Sequence, residues 1–263
     1  SCIVAVIYGE KDGWAILAAV LLCLLIGLPL VRKKPQNRVF YLRKGFVSTA
    51  LSWLVMSCFG AIPFVISGWI KNPVDALFEV VSGFTTTGAS ILADVEALPR
   101  CLLFWRSFTH WIGGMGVLVF LLTLLPLAGG SHMNLMKAES PGPSVSRLVP
   151  KVKSTAKILY LIYIVMTVTE IILLLIGKMP LFDALTLSFG TAGTGGFGIR
   201  NDSIAGYSVY CQVVITIFMI LFGVNFNVYF LLLLKKFRQA SVNEEVRAYL
   251  LIILSAILVI TWN

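Results

Sequence analysis

The heptapeptide Phe84-Thr85-Thr86-Thr87-Gly88-Ala89-Ser90 has a second, looser form in the same chain, Gly193-Thr194-Gly195-Gly196-Phe197-Gly198. Each copy follows a short apolar segment that opens on Asp-Ala-Leu, at Asp75-Ala76-Leu77 and at Asp183-Ala184-Leu185. Counting from that aspartate, the last glycine of Thr-x-Gly comes 13 residues later in both copies. Asp75 therefore pairs with Asp183, Thr86 with Thr194 and Gly88 with Gly196, at a constant offset of 108. A repeat with fixed internal spacing needs a shared structural cause.

A short helix that runs partway into a membrane and ends in an extended Thr/Gly stretch can aim backbone carbonyls at a central axis, where they replace the hydration shell of a cation. Glycine reaches the positive-φ conformations that such a row of carbonyls requires and has no Cβ to crowd the path. Threonine hydroxyls add oxygen ligands, and the negative C-terminal end of the short helix favours a cation nearby. The expected filter residues are Thr85, Thr86, Thr87, Gly88 and Ala89 in the first copy and Gly193, Thr194, Gly195, Gly196 and Phe197 in the second. Of these, Thr86, Thr87, Gly88, Thr194, Gly195 and Gly196 are expected to hold the ion, with Asp75, Glu79 and Asp183 supporting the pore helices. A turn after a buried helix is the plain alternative, because Thr/Gly stretches punctuate many folds. Two copies between long apolar segments favour the pore element, since non-helical backbone at membrane depth is tolerated only inside protein or against a water-filled path.

Composition supports a membrane setting: 58% of the residues are hydrophobic and only 13% are charged. Apolar stretches recur at 14–31, 46–70, 102–126, 154–177, 208–234 and 248–262, and about 20 helical residues suffice to cross a hydrocarbon core of about 30 Å. The net charge of +9 is unevenly spread: fifteen of the 21 Lys and Arg lie in the segments 32–44, 137–157 and 235–247. The alternate connections hold only scattered cations, Lys71, Arg100, Lys178 and Arg200, so the three basic segments are expected in the cytoplasm. No aromatic-interleaved basic surface points to nucleic acid. The five cysteines show no CxxC spacing and read as small packing residues, not as a metal site or a disulfide framework.

The expected fold class is an all-α integral membrane protein built from repeated units of span, re-entrant pore helix, filter and span. Residues 1–45 supply an N-terminal segment, a first span and a basic loop; 46–127 form the first repeat and 128–153 a cytoplasmic linker; 154–236 form the second repeat, and 237–263 begin a third unit. Residues 1–13 read as an external loop. Asn72 is the expected cap of the first pore helix with Pro73 at its first position, and Pro180 opens the second. Gly113-Gly114-Met115-Gly116 offers close helix approach.

Glu170, deep in a span, is a functional candidate by position or a local packing residue. Arg106 is explained by snorkelling to the interface. His110 and His132 fall near opposite ends of one span, which argues against a shared metal or haem. Glu79, whose counterpart is Leu187, either braces the filter by hydrogen bonds or faces water. A membrane-embedded enzyme would need convergent nucleophile, base or metal ligands at one depth, and the Asp, Glu and His are scattered; no enzyme activity and no cofactor are expected.

The run 75–90 together with Phe104-Trp105-Arg106-Ser107, Trp111-Ile112-Gly113-Gly114-Met115-Gly116 and Gly223-Val224-Asn225-Phe226 resembles the Trk-type potassium uptake proteins, in the same superfamily as the Ktr and plant HKT transporters. The resemblance covers nearly the whole chain. It implies K⁺ uptake across the plasma (inner) membrane, with Gly88 and Gly196 beside the ion. It further implies a homodimer in membrane lipid and a cytoplasmic nucleotide-binding regulatory subunit. The reduced Thr-x-Gly, without Thr-Val-Gly-Tyr-Gly, suggests laxer rejection of Na⁺ than in potassium channels. Family members carry four such units, with a gating loop in the third and a pore-facing arginine in the fourth. Only two are complete here, so the expectation is a part of a longer subunit, with a non-conducting fragment as the alternative.

Overall fold

The computed structural model describes residues 1–32, 42–116 and 152–262. The linker 128–153, the end of the third span and the basic segment at 33–41 therefore lie largely outside the described residues. Every regular element among those described is an α-helix. In chain order they are α1 (Cys2–Tyr8), α2 (Gly13–Arg32), α3 (Leu42–Ile66), α4 (Pro73–Phe84), α5 (Arg100–Gly114), α6 (Val152–Ile176), α7 (Leu181–Ala192), α8 (Val209–Gly223), α9 (Phe226–Leu233), α10 (Phe237–Ser241) and α11 (Glu244–Trp262). The all-α membrane fold expected from the sequence is the one observed. Gly13–Arg32, Lys157–Ile176 and Glu244–Trp262 are long and apolar enough to cross a membrane, and α3 runs 25 residues.

The two pore helices are alike in length and ending. Each has 12 residues, about 18 Å at 1.5 Å per residue, too short to cross and long enough to reach mid-depth. Asn72 caps α4 by accepting from the Val74 N–H at 3.0 Å, with Pro73 in the first turn; Pro180 precedes α7. Packing is repeated as well: α4 lies against α3 and α5, and α7 lies against α6 and α8. One apolar cluster centred on Phe64, Val80, Phe84 and Leu102 fills the first repeat, and another around Tyr163, Leu174, Ile215 and Phe222 fills the second. The two repeats meet where α5 packs on α7.

Matching tyrosines tie further spans to α5 and α8. Tyr163 of α6 donates to the Trp111 carbonyl of α5 at 2.9 Å, and Tyr249 of α11 donates to the Ile220 carbonyl of α8 at 3.2 Å. Trp111 and Ile220 hold the same place in two helices of 15 residues. Each tyrosine hydroxyl also lies against the matching glycine, Gly114 or Gly223, where a Cβ would collide with it.

Two expectations are corrected. The segment expected as a loop at 1–13 begins with α1, which is closed by Gly9 at φ 67° and buries Ala5; it packs on α2 and α5. The apolar run 208–234 is not one helix: it breaks at Val224, whose extended backbone ends α8 before α9 begins. Beyond α1, the carboxylate of Glu10 accepts from the N–H groups of Arg100 and Cys101, both at 2.8 Å. Pro99 gives α5 no side-chain cap, so an acid some ninety residues upstream satisfies the free N–H groups of its first turn. Glu10→Ala is expected to cost about 1 kcal/mol, as loss of a helix cap does, and to lower the thermal unfolding midpoint of the purified protein in detergent.

Candidate functional site

The repeat found in the sequence is a repeat of backbone conformation. Thr86 and Thr194 both adopt left-handed φ, at 56° and 57°, and Gly88 and Gly196 follow at 79° and 73°. Two turn hydrogen bonds recur at the same offset. Thr85 N–H donates to Val81 and Thr86 N–H to Gly83; Gly193 N–H donates to Phe189 and Thr194 N–H to Thr191. A β-carbon placed on Gly88 would run into the carbonyl of Gly195, so the two stretches touch at their glycines and only a bare α-carbon fits there.

Oxygen atoms crowd the start of the first stretch. Thr85 Oγ1 donates to the Val81 carbonyl at 2.7 Å. Its 2.8 Å contact with Thr87 Oγ1 must then be donated by Thr87, because a hydroxyl carries a single proton. Thr85, Thr87, Ala89, Thr194 and Gly196 are exposed, whereas Thr86, Gly88 and Gly195 are half-buried and Gly193 is buried. Phe197, expected among the filter residues, buries its ring between side chains of α5. It is 2% exposed, with the Arg106 guanidinium 3.6 Å from its centroid and the His110 ring stacked on it at 3.9 Å.

Behind the stretches sits a buried ion pair. Arg106 Nε donates to Glu79 Oε1 at 2.5 Å, with side chains 3% and 0% exposed. Glu79 also accepts from the Ser90 hydroxyl at 2.9 and 3.1 Å and from the Ile91 N–H at 2.9 Å, fixing the main chain just past the first stretch. Arg106 Nη1 donates to the Gly198 carbonyl at 2.8 Å, just past the second. One pair thus holds both. Glu79 does not face water, and the snorkelling expectation for Arg106 does not hold: its charge goes to a carboxylate across the helix interface, not to the membrane surface.

Gly113 and Gly114 let α5 approach both repeats; a Cβ on Gly113 would strike the Phe84 carbonyl and Thr86, and one on Gly114 the Ala192 carbonyl and Gly193. Asp75 and Asp183 both lie in the first turn of their helices, where a carboxylate is favoured, but among the described residues it is Asp183 that meets partners beyond its helix, the Tyr207 hydroxyl at 2.9 Å and the Arg200 guanidinium at 3.9 Å. Burial, and after it that bond, pushes the Tyr207 hydroxyl well above the ordinary phenol range. Glu170 is fully buried on α6, and among the described residues neither of its oxygens completes a hydrogen bond of ordinary geometry. His110 belongs to the seam, while His132 lies outside the described residues. No cluster of three His, Cys, Asp or Glu suited to a metal occurs among the described residues.

A contact that the sequence did not signal joins the segments that follow the two stretches. Asn201 donates to Asp94 Oδ1 at 2.8 Å, accepts from the Val95 N–H at 2.9 Å, and donates its own N–H to Glu96 at 3.1 Å. The Asn201 hydrogen bond, assisted by the Glu96 and Ala97 N–H groups, holds the Asp94 carboxyl below its usual range. Asparagine in a loop is too common for sequence alone to single it out.

Two short helices that stop partway, hand on to left-handed Thr/Gly turns and meet along one shared helix define a repeated pore-helix membrane protein. Residues 13–261 match the TrkH family model, described as cation transport protein, and the chain belongs to that family. The Trk system potassium uptake protein TrkH of Salmonella typhimurium is 37% identical over 241 residues, 88% of this chain and 49% of that protein. TrkG of Escherichia coli K12, also a Trk system potassium uptake protein, is 33% identical over 267 residues, 99% of this chain and 55% of that protein. The crystal structure of the potassium transporter TrkH from Vibrio parahaemolyticus superimposes with a TM-score of 0.72 at 28% identity, covering 87% of this chain and 46% of that one. The chain spans about half the length of the curated relatives it matches.

Removing one member of the buried pair leaves the other charged and unpartnered. Arg106→Leu is expected to destabilise by about 3–5 kcal/mol, whereas replacing both members by apolar residues of similar volume, as in Glu79→Met with Arg106→Met, recovers most of that loss; thermal unfolding of the purified variants measures both. The Asp94 contact carries a pH signature. Because the folded carboxyl titrates below the unfolded one, its contribution is fully present above the ordinary aspartate value of about 3.9 and fades as pH falls through the lower folded value. The difference in unfolding midpoint between wild type and Asp94→Ala should be constant near neutrality and shrink in acid.

Proposed function

We propose that this chain carries two filter stretches of a K⁺ uptake pathway, in which K⁺ passes down its electrochemical gradient between carbonyl and hydroxyl oxygens of Thr86, Thr87, Gly88, Thr194, Gly195 and Gly196. The observation that carries the reading is the matched left-handed pair in each stretch together with the contact of Gly88 on the Gly195 carbonyl. Adjacent stretches brought together at glycine can present main-chain oxygens to one cation, the device by which such filters replace hydration. The printed names of the relatives, potassium uptake proteins and a potassium transporter, support K⁺ as the ion.

Two stretches do not encircle an ion, and two further ones, on additional sequence or on a second chain, complete the ring. The tyrosine contact of α11 on α8, equivalent to that of α6 on α5, supports α11 as the first span of a third unit, and the repeat plan supports the division 46–127, 154–236 and 237–263. The uneven spread of Lys and Arg supports an inner-membrane location with the basic segments in the cytoplasm. The family resemblance supports a homodimer in lipid that works with a cytoplasmic nucleotide-binding regulatory subunit, and a filter that admits some Na⁺. The role is transport, not catalysis.

In cells lacking their own K⁺ uptake systems and expressing the complete protein, Gly88→Val should abolish K⁺ uptake or its preference over Na⁺. Valine adds a branched Cβ at positive φ and at the Gly195 carbonyl. Normal uptake with intact preference would refute the filter assignment.

A further inference from the structure

His110 is 0% exposed, yet among the described residues neither ring nitrogen completes a hydrogen bond of ordinary geometry. Ring nitrogens without a well-formed hydrogen bond inside a packed interface carry a cost, so the position calls for an account of what the ring does. Its neighbours belong to both repeats. On the side of the first repeat, a Cβ at Gly83 would lie 3.6 Å from the His110 ring. On the side of the second, Cβ atoms at Gly193 and Gly195 would collide with the main chain and the ring of His110, and the ring stacks on Phe197 with planes 15° apart. The main chains of Ser82 and Gly190 also flank the imidazole as acceptors. These two residues hold the same place in α4 and α7, at the offset of 108. Their carbonyls accept the N–H groups that shape the two filter turns, from Thr87 at 2.9 Å and from Gly196 at 3.2 Å.

We propose that His110 is a specificity-determining positioning residue, a flat wedge at the seam that keeps Gly195 pressed towards Gly88 and so sets the spacing of adjacent filter stretches. The inference rests on the reading of both stretches as filter. Gly195 has no side chain of its own, and the imidazole occupies the space that one would have taken. Phe197 backs the ring on its other contact, and Arg106, one helical turn earlier on α5, holds Phe197 in turn. A smaller or non-planar group at this position would let the Gly195 main chain settle back from the path. K⁺ and Na⁺ differ in size, so a path that widens or closes changes their ratio before it changes the amount of folded protein.

The test is the K⁺ over Na⁺ preference of the complete protein in uptake-deficient cells, with the amount of protein in the membrane measured in parallel. His110→Ala empties the slot, His110→Gln keeps polar groups without the ring, and His110→Phe keeps a flat ring without nitrogens. Ala and Gln should each lower the preference roughly tenfold or more, the scale on which a one-methylene change in a fitted site is felt, with Phe restoring much of it. An unchanged preference in His110→Gln overturns the wedge, as does an unchanged preference in His110→Ala; if the Ala variant fails to insert, Gln alone decides. Gly196→Val in the same cells separates the two readings. Preference lost there but kept in His110→Gln defeats only the wedge, and preference kept in both defeats the filter assignment itself.

Discussion

Glu79 and Arg106 meet where neither can reach water, and removing two charges from water is expensive unless every remaining lone pair and proton finds a partner. Here the partners are found on the main chain. Glu79 spends its oxygens on Ser90, Ile91 and the guanidinium; Arg106 spends its donors on Glu79 and the Gly198 carbonyl and lays its plane on Phe197. An apolar pair could fill the same volume, but the Ile91 N–H and the Gly198 carbonyl would then lose the groups that fix them. The pair is best understood as geometry bought with desolvation. It places the exits of two Thr/Gly turns at a set distance from one helix, and the contact of Gly88 with the Gly195 carbonyl follows from that placement.

The two repeats share a backbone and differ in side chains. Thr86 and Thr194, and Gly88 and Gly196, agree in φ within a few degrees, although the triple threonine of one stretch faces Gly193-Thr194-Gly195 in the other. Glu79 corresponds to Leu187, which is buried in the apolar cluster of the second repeat. The second stretch has no carboxylate at the position equivalent to Glu79 and takes its anchor, Arg106, from the helix that closes the first repeat. Asp75 and Asp183 hold equivalent turns with unequal surroundings in the same way. Conformation is set by glycine and by the turn hydrogen bonds, which every repeat must satisfy. The supporting chemistry is satisfied once, at the seam.

What could be read in the sequence was what depends on local rules. The Asp-Ala-Leu spacing, Asn72-Pro73, the lengths of the pore helices and the glycines at positive φ are all fixed within a dozen residues, and the structure has them where the sequence placed them. Arg106 was misread because hydropathy along a span records a charge without recording the acid 27 residues earlier that folds against it. The role of Asn201 was invisible for the same reason, its partners lying 105 to 107 residues away. The break at Val224 falls in a run that is apolar throughout, where periodicity carries no signal. α1 was passed over because a seven-residue segment is too short to announce itself and is held by α2 and α5, not by its own propensity.

Along α5, Arg106, His110, Gly113 and Gly114 contact the exits, the seam and the beginnings of the two Thr/Gly stretches. His110 follows Arg106 by four residues and precedes Gly113 and Gly114 by three and four, so the four lie on one helix face about 100° wide, with Gly113 towards the first repeat and Gly114 towards the second. This makes the helix a ruler. A substitution along it alters one mark, but one inserted residue would carry every later mark about 100° around the axis and 1.5 Å along it, away from both turns at once. Divergent descendants of this chain could therefore exchange residues on α5 with some freedom while having almost no freedom in its length.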